Sequence, residues 1–100
     1  MLFGCDIIVL NMTDKYQNVA DFLQPLASAK RIQILFLLGE GEMTVTDLVK
    51  KMRIRKANVS QCLAVLRYNR MVTFRPEGRN VYYKLANSKA VNFVKAIQKI

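Results

Sequence analysis

Residues 44–85 read TVTDLVKKMRIRKANVSQCLAVLRYNRMVTFRPEGRNVYYKL, and the hydrophobic period changes inside this stretch. Thr44-Val-Thr-Asp47 has the spacing of a capping box, with Asp in place of Glu. It predicts a short helix through Leu48 and Val49 to about Met52. A second helix covers roughly Lys56–Asn69, with Val59, Leu63 and Leu66 on its inner face and Cys62 beside them. From Met71 the pattern is that of strands. Met71–Arg75 and Val81–Leu85 are short and rich in β-branched and aromatic residues, and Pro76-Glu77-Gly78-Arg79-Asn80 between them carries turn chemistry. The spacing predicts a β-hairpin.

Working outward, helical periodicity precedes this stretch twice and follows it once. Tyr16, Val19, Phe22/Leu23 and Leu26 recur at three- and four-residue steps, with Thr13 or Asp14 placed to cap and Pro25 marking a break. Ser28 can cap a helix over Ala29–Leu38 whose apolar set is Ile32, Ile34/Leu35 and Leu38; Gly39 and Gly41 are expected to stop it. After the hairpin, Asn87 or Ser88 can cap a helix over Ser88–Ile100. It carries Val91, Val94, Ile97 and Ile100 on one stripe, with Phe93 beside it. The order is ααααββα, mainly α with a small β-hairpin. Connections are short and nothing repeats, so residues 13–100 read as one domain. The start, MLFGCDIIVL, resembles a short signal segment but lacks a basic flank and holds Asp6. Residues 1–12 are an extension of unknown role: a leader ahead of a true start at Met12, or a strand or arm packing on the domain.

The 100 residues carry 16 Lys+Arg against seven Asp+Glu, a formal net charge of +9, with 52% hydrophobic residues, enough for a core. The charge is uneven. Residues 50–84 hold ten basic groups (Lys50, Lys51, Arg53, Arg55, Lys56, Arg67, Arg70, Arg75, Arg79, Lys84) and one acid, Glu77, whereas residues 1–27 net −2. Solvation of helix faces explains an excess of one or two, not ten to one, so the stretch points to a polyanionic partner. The absence of histidine removes Ser-His-Asp and Cys-His sites and every histidine-based metal site. Two cysteines, Cys5 and Cys62, make no disulfide scaffold, and the chain reads as cytoplasmic. The longest apolar runs, Ile32–Leu38 and Ile7–Leu10, fall far short of the roughly 20 residues that span a bilayer. The five methionines read as core filler rather than a soft-metal site. No cofactor or metal site emerges.

Two short helices joined by a tight turn and followed by a basic hairpin make a winged helix-turn-helix. With Val59, Leu63 and Leu66 inward, Ala57, Ser60, Gln61, Ala64 and Tyr68 lie on the opposite face of the second helix. Small residues let a helix sink into the major groove, and Ser and Gln can bond base edges. Lys56 sits at the helix mouth. Asn58 is either a base reader or, with Gln61 three residues on, a cap. The hairpin presents Arg75, Arg79 and Asn80 for phosphate or minor-groove contact. Tyr82 and Tyr83 read as strand residues, one of them packing inward. The expected DNA-contacting set is therefore Lys56, Ala57, Asn58, Ser60, Gln61, Ala64, Arg75, Arg79 and Asn80.

LASAKRIQILFLL (26–38), EMTVTDLVKKM (42–52), NVSQCLAVLR (58–67) and GRNVYYKL (78–85) together resemble the ArsR/SmtB family of winged-helix repressors. The resemblance covers about Leu26–Leu85. It implies a homodimeric regulator that occupies a promoter, probing a palindromic operator in double-stranded DNA with half-sites about 10 bp apart. It also sets the first and last helices where that family forms its dimer, and Tyr16, Val19, Leu23 and Leu26 with Val91, Val94, Ile97 and Ile100 are then the expected interface. The family's sensing residues are not matched. Thr44 and Thr46 stand where metal sensors carry Cys-x-Cys, the last helix has neither His nor a carboxylate, and Phe36 lies in the helix where a redox-sensing branch places a cysteine. Cys62 reads as a small buried hydrophobe, with a DNA-blocking thiol on the recognition helix as the alternative. Two other classes remain open: a non-specific or architectural nucleic-acid-binding winged helix, and a protein-interaction module using the two apolar stripes. An enzyme finds no nucleophile–base pair and no phosphate-cradling loop here.

Overall fold

In a computed structural model the protein is described over residues 14–100; the extension 1–12 with Cys5, and Thr13 as a cap, lie outside that range. Helix α1 occupies residues 14–23 and runs into a 3-10 turn, Gln24–Leu26, entered through Pro25. Three of the four following helices begin where a side-chain oxygen satisfies an orphan backbone N–H. Ser28 Oγ accepts from Arg31 N (3.4 Å) at the start of α2, Ala29–Glu40. Thr44 Oγ1 accepts from Asp47 N (3.1 Å) while Asp47 Oδ2 accepts from Thr44 N (3.0 Å), so the capping box forms and α3 is Val45–Met52. The Thr44 backbone and hydroxyl hydrogen bonds hold the Asp47 carboxyl below its ordinary pKa. Helix α4 is Lys56–Tyr68; strands β1, Val72–Glu77, and β2, Asn80–Leu85, form the hairpin; and Asn87 Oδ1 accepts from Ala90 N (3.0 Å) to start α5, Ser88–Ile97. The observed order matches the expected mainly α chain with one hairpin.

Helix α2 is the axle. Its Ile34 and Leu35 are fully buried, and it packs against α4, α5 and β2. Leu48 and Met52 from α3, Val59, Cys62, Leu63 and Leu66 from α4, and Ala90 and Val94 from α5 complete the core. Gly39 lies inside α2 rather than ending it, and a Cβ there would come within 3.2 Å of Val94 Cγ1, so its small size lets α2 and α5 approach. The helix ends instead at Gly41, whose φ of 155° and ψ of 173° suit glycine almost alone.

The structure corrects several boundaries. The hairpin tip is two residues, Gly78-Arg79, not five. Pro76 pairs with Val81 and Glu77 with Asn80, because backbone pairing carries both strands up to the tip. Both strands of a two-stranded sheet are edges, so the missing N–H of Pro76 costs no central ladder. Gly78 supplies the positive φ (62°) that the tight turn needs. Leu26 sits in the 3-10 turn, not on α1, and is buried in the subunit's own core, as is Val94. Neither is available to a second subunit. Helix α5 ends at Ile97, which leaves Ile100 beyond it and fully exposed.

Two arginines end helices in the left-handed conformation. Arg53 (φ 57°) closes α3, its N–H donating to the Val49 carbonyl at 2.8 Å. Arg70 (φ 60°) follows α4 in a Schellman arrangement: Met71 N donates to Leu66 O (2.8 Å) and Arg70 N to Arg67 O (2.9 Å), with Leu66 and Met71 both buried. A non-glycine residue in this conformation costs about 1–2 kcal/mol. The chain thus keeps cations at two turns where glycine would be more stable, one of them the turn of the helix-turn-helix.

Candidate nucleic-acid interface

Helix α4 divides cleanly. Val59, Cys62, Leu63 and Leu66 are buried, and Ala57, Ser60, Gln61, Ala64 and Tyr68 are exposed on the other side. Tyr68 is 87% exposed, an unusual position for a large aromatic side chain, and it continues the Ala57/Gln61/Ala64 row at the far end of the helix. Because α4 begins at Lys56 with Arg55 as N-cap, and Arg55 makes no side-chain cap bond, Asn58 does not cap the helix. Its side chain is half-buried on the third helical position. No acid stands in the first turn of α4. Two cations at a helix N-terminus oppose its dipole, so a neighbouring anion would relieve this turn.

The wing is fastened to the body behind this helix. Met43 forms an antiparallel bridge with Tyr83: Met43 N–H donates to Tyr83 O (3.0 Å), and Tyr83 N–H donates to Met43 O (2.8 Å). Tyr83, half-buried, packs on the core and lies 5.7 Å from Phe74 across the strands, while the Arg67 guanidinium covers Phe74 at 4.4 Å. Arg79 and Asn80 are exposed at the tip. Arg75 is placed differently. Its Nε donates to Glu42 Oε2 (2.8 Å) and Oε1 (3.2 Å), and its Nη1 to Glu77 Oε2 (2.6 Å). The Tyr82 ring lies 5.0 Å from its guanidinium carbon. Bonds to Glu77 and Glu42 raise the pKa of Arg75 above its ordinary value. Nothing local in the sequence announces the Glu42 contact, which spans 33 residues.

Among the described residues, the ion pairs are those of Arg75 with Glu42 and Glu77. Glu77, the single acid of residues 50–84, is thereby spent on Arg75. Lys50, Lys51, Arg53, Arg55 and Lys56 around the α3–α4 turn, and Arg79 and Lys84 on the wing, face solvent without a carboxylate partner in that set. The described residues hold no group of three or more His, Cys, Asp or Glu that could ligate a metal, and Thr44 serves as the α3 cap. None of the described helices is long and apolar enough to cross a membrane. Of the apolar stripe on α1, Tyr16, Val19 and Leu23 are exposed, while Phe22 packs edge-on against Phe93 of α5 at 6.0 Å. Val91 and Ile97 of α5 are half-buried.

Residues 28–73 match the family described as bacterial regulatory protein, arsR family. The chain is 36% identical over 84 residues to a transcriptional repressor SmtB homolog from Synechocystis sp., covering 84% of this chain and 64% of that protein, so it spans less than two thirds of that relative's length. It is 35% identical over 89 residues to a biofilm growth-associated repressor from Agrobacterium fabrum, covering 89% of this chain and 76% of the relative. Among solved structures it is similar to a homodimeric winged helix-turn-helix DNA-binding domain from Mycobacterium bovis. The TM-score is 0.76 at 28% identity, over 87% of this chain and 81% of that one.

Proposed function

The chain belongs to the arsR family of bacterial regulatory proteins, and from this we propose that it is a DNA-binding transcriptional regulator of the winged helix-turn-helix type. Residues 13–100 act as one DNA-binding and dimerisation domain in the cytoplasm. Two copies, carrying twice +9 between them, set their α4 helices in successive major grooves of a palindromic operator, with half-sites about 10 bp apart. Repression follows from occupying the promoter. Asn58, Ser60 and Gln61 face base edges, Ala57 and Ala64 let the helix approach, and Lys56, Arg79 and Asn80 meet phosphate or the minor groove.

The observation that carries this reading is the outer face of α4: small at Ala57 and Ala64, polar at Ser60 and Gln61, on a chain whose α3–α4 turn and wing carry exposed cations with no carboxylate partner among the described residues. Such a face offers hydrogen bonds to bases and attraction to phosphates.

Helix and wing should fail differently. Gln61→Ala should relax preference at one base pair per half-site by about 1–3 kcal/mol, and leave the salt dependence of binding unchanged. Arg79→Ala should weaken binding to operator and scrambled duplex alike, and flatten the slope of log K against log salt by about one per subunit. Equilibrium titration of both duplexes over a salt series checks this. The reverse pattern, with Arg79→Ala altering only specificity and Gln61→Ala altering nothing, would make the hairpin the reader.

A further inference from the structure

Building on the DNA-binding reading above, we infer that Arg75 is not a DNA contact but a positioning residue, a clasp that fixes the angle of the wing by joining β1 to the Glu42 loop ahead of α3. Two features give it that part. The base of the wing is anchored in the core by Val72, Tyr83 and Leu85, and its strands join the backbone ahead of α3 through one bridge, Met43 with Tyr83. Beyond that bridge, toward the tip, the strand residues are mostly exposed and need a further tie to hold their angle. One residue away, the Arg75 Nε–H is shared between both oxygens of Glu42, at 2.8 and 3.2 Å, while Nη1 donates to Glu77 at 2.6 Å. A planar guanidinium held on two of its nitrogens, one by the loop ahead of α3 and one by its own strand, is fixed in orientation and ties the strand to that loop.

The second feature is charge. Arg75 with Glu42 and Glu77 is a trio of net charge −1, and Glu77 Oε2 holds Nη1 at 2.6 Å from within the same strand. The cross-strand partner Tyr82 covers the guanidinium from another side. For Arg75 to meet a phosphate it would have to surrender both carboxylates and leave them, unpaired, beside the DNA. Arg79, two residues past Glu77 at the exposed tip, has neither obstacle. One arginine of the wing therefore aims it, and the other touches DNA.

Fluorescence anisotropy on a labelled mixed-sequence duplex of about 30 bp, long enough for two half-sites one helical turn apart, separates the roles. The full chain is used over a KCl series, with thermal melts confirming that each variant folds. Arg75→Gln should weaken binding by about threefold to tenfold through loss of a preset wing, with a log K against log salt slope equal to wild type. Arg79→Gln should lower that slope by about one per subunit. Arg75→Glu, which puts a third carboxylate beside Glu42 and Glu77, should weaken binding further. The exchanged pair Glu42→Arg/Arg75→Glu should restore it to within about twofold of wild type, as contacting partners do when swapped. A slope lowered by Arg75→Gln as much as by Arg79→Gln, an exchanged pair as weak as Arg75→Glu alone, or wild-type affinity in Arg75→Gln would each overturn the proposal. An unaltered slope in Arg79→Gln would instead strike at the DNA-binding role of the wing, a distinct result.

Discussion

Val19→Asp/Leu23→Asp should convert the protein from a species of twice 11.5 kDa to one of single mass in sedimentation at micromolar concentration, and should weaken duplex binding by about 10²–10⁴-fold. Both residues are exposed on α1, 49% and 45%, and with Tyr16 at 60% they form an apolar row at helical spacing. A 100-residue subunit gains nothing from leaving three large apolar side chains in water on one helix face unless a second copy covers them. Val91, Ile97 and Ile100 of α5 are the proposed remainder of that surface. The substitutions remove nothing from the subunit's own core, so its secondary structure should persist. The affinity loss follows because linking two readers makes the second contact intramolecular, an advantage a monomer forfeits. Wild-type protein that sediments as a monomer while binding duplex at full strength would contradict the symmetric-reader arrangement.

Raising salt from about 50 to about 200 mM should weaken duplex binding by about 10³–10⁵-fold, the range for 6–10 neutralised phosphates. Each subunit presents Lys50, Lys51, Arg53, Arg55, Lys56, Arg79 and Lys84 without a carboxylate partner among the described residues, so three to five phosphate contacts per subunit of a dimer suffice. Arg75 is left out of this set because Glu42 and Glu77 already neutralise it. The retention of Arg53 and Arg70 in left-handed turns, where glycine would be more stable, fits a surface shaped for charge. Equilibrium titrations across the salt series give the slope. A loss of less than about tenfold over that range would mean that the basic surface does not meet phosphate.

The parts of this fold that were legible in the sequence are those that a few neighbouring residues decide. The Thr44/Asp47 capping box, the Ser28 and Asn87 caps and the inner face of α4 depend on three- and four-residue spacings, and the structure has them as read. What escaped depends on partners distant in sequence. A periodic apolar stripe says that a face is buried, not by what. Leu26 and Val94 lie on such stripes, yet their own subunit buries them, Val94 against the Gly39 step of α2. The hairpin tip is shorter than its composition predicts because Pro76 is a turn residue by composition but a strand residue by pairing. Arg75 looked like the other cations of its stretch until Glu42, 33 residues earlier, came beside it. The outer face of α4 was legible because it is the complement of a core that local periodicity already defined.

Selection of bound duplexes from a random pool decides whether this chain reads the sequence of double-stranded DNA as a symmetric dimer. The expected result is a palindromic consensus whose halves are separated by about one helical turn, roughly 10 bp centre to centre, and whose most constrained positions relax in Gln61→Ala. A pool that is bound tightly but enriches no sequence, or that enriches an unpaired single site, would contradict it.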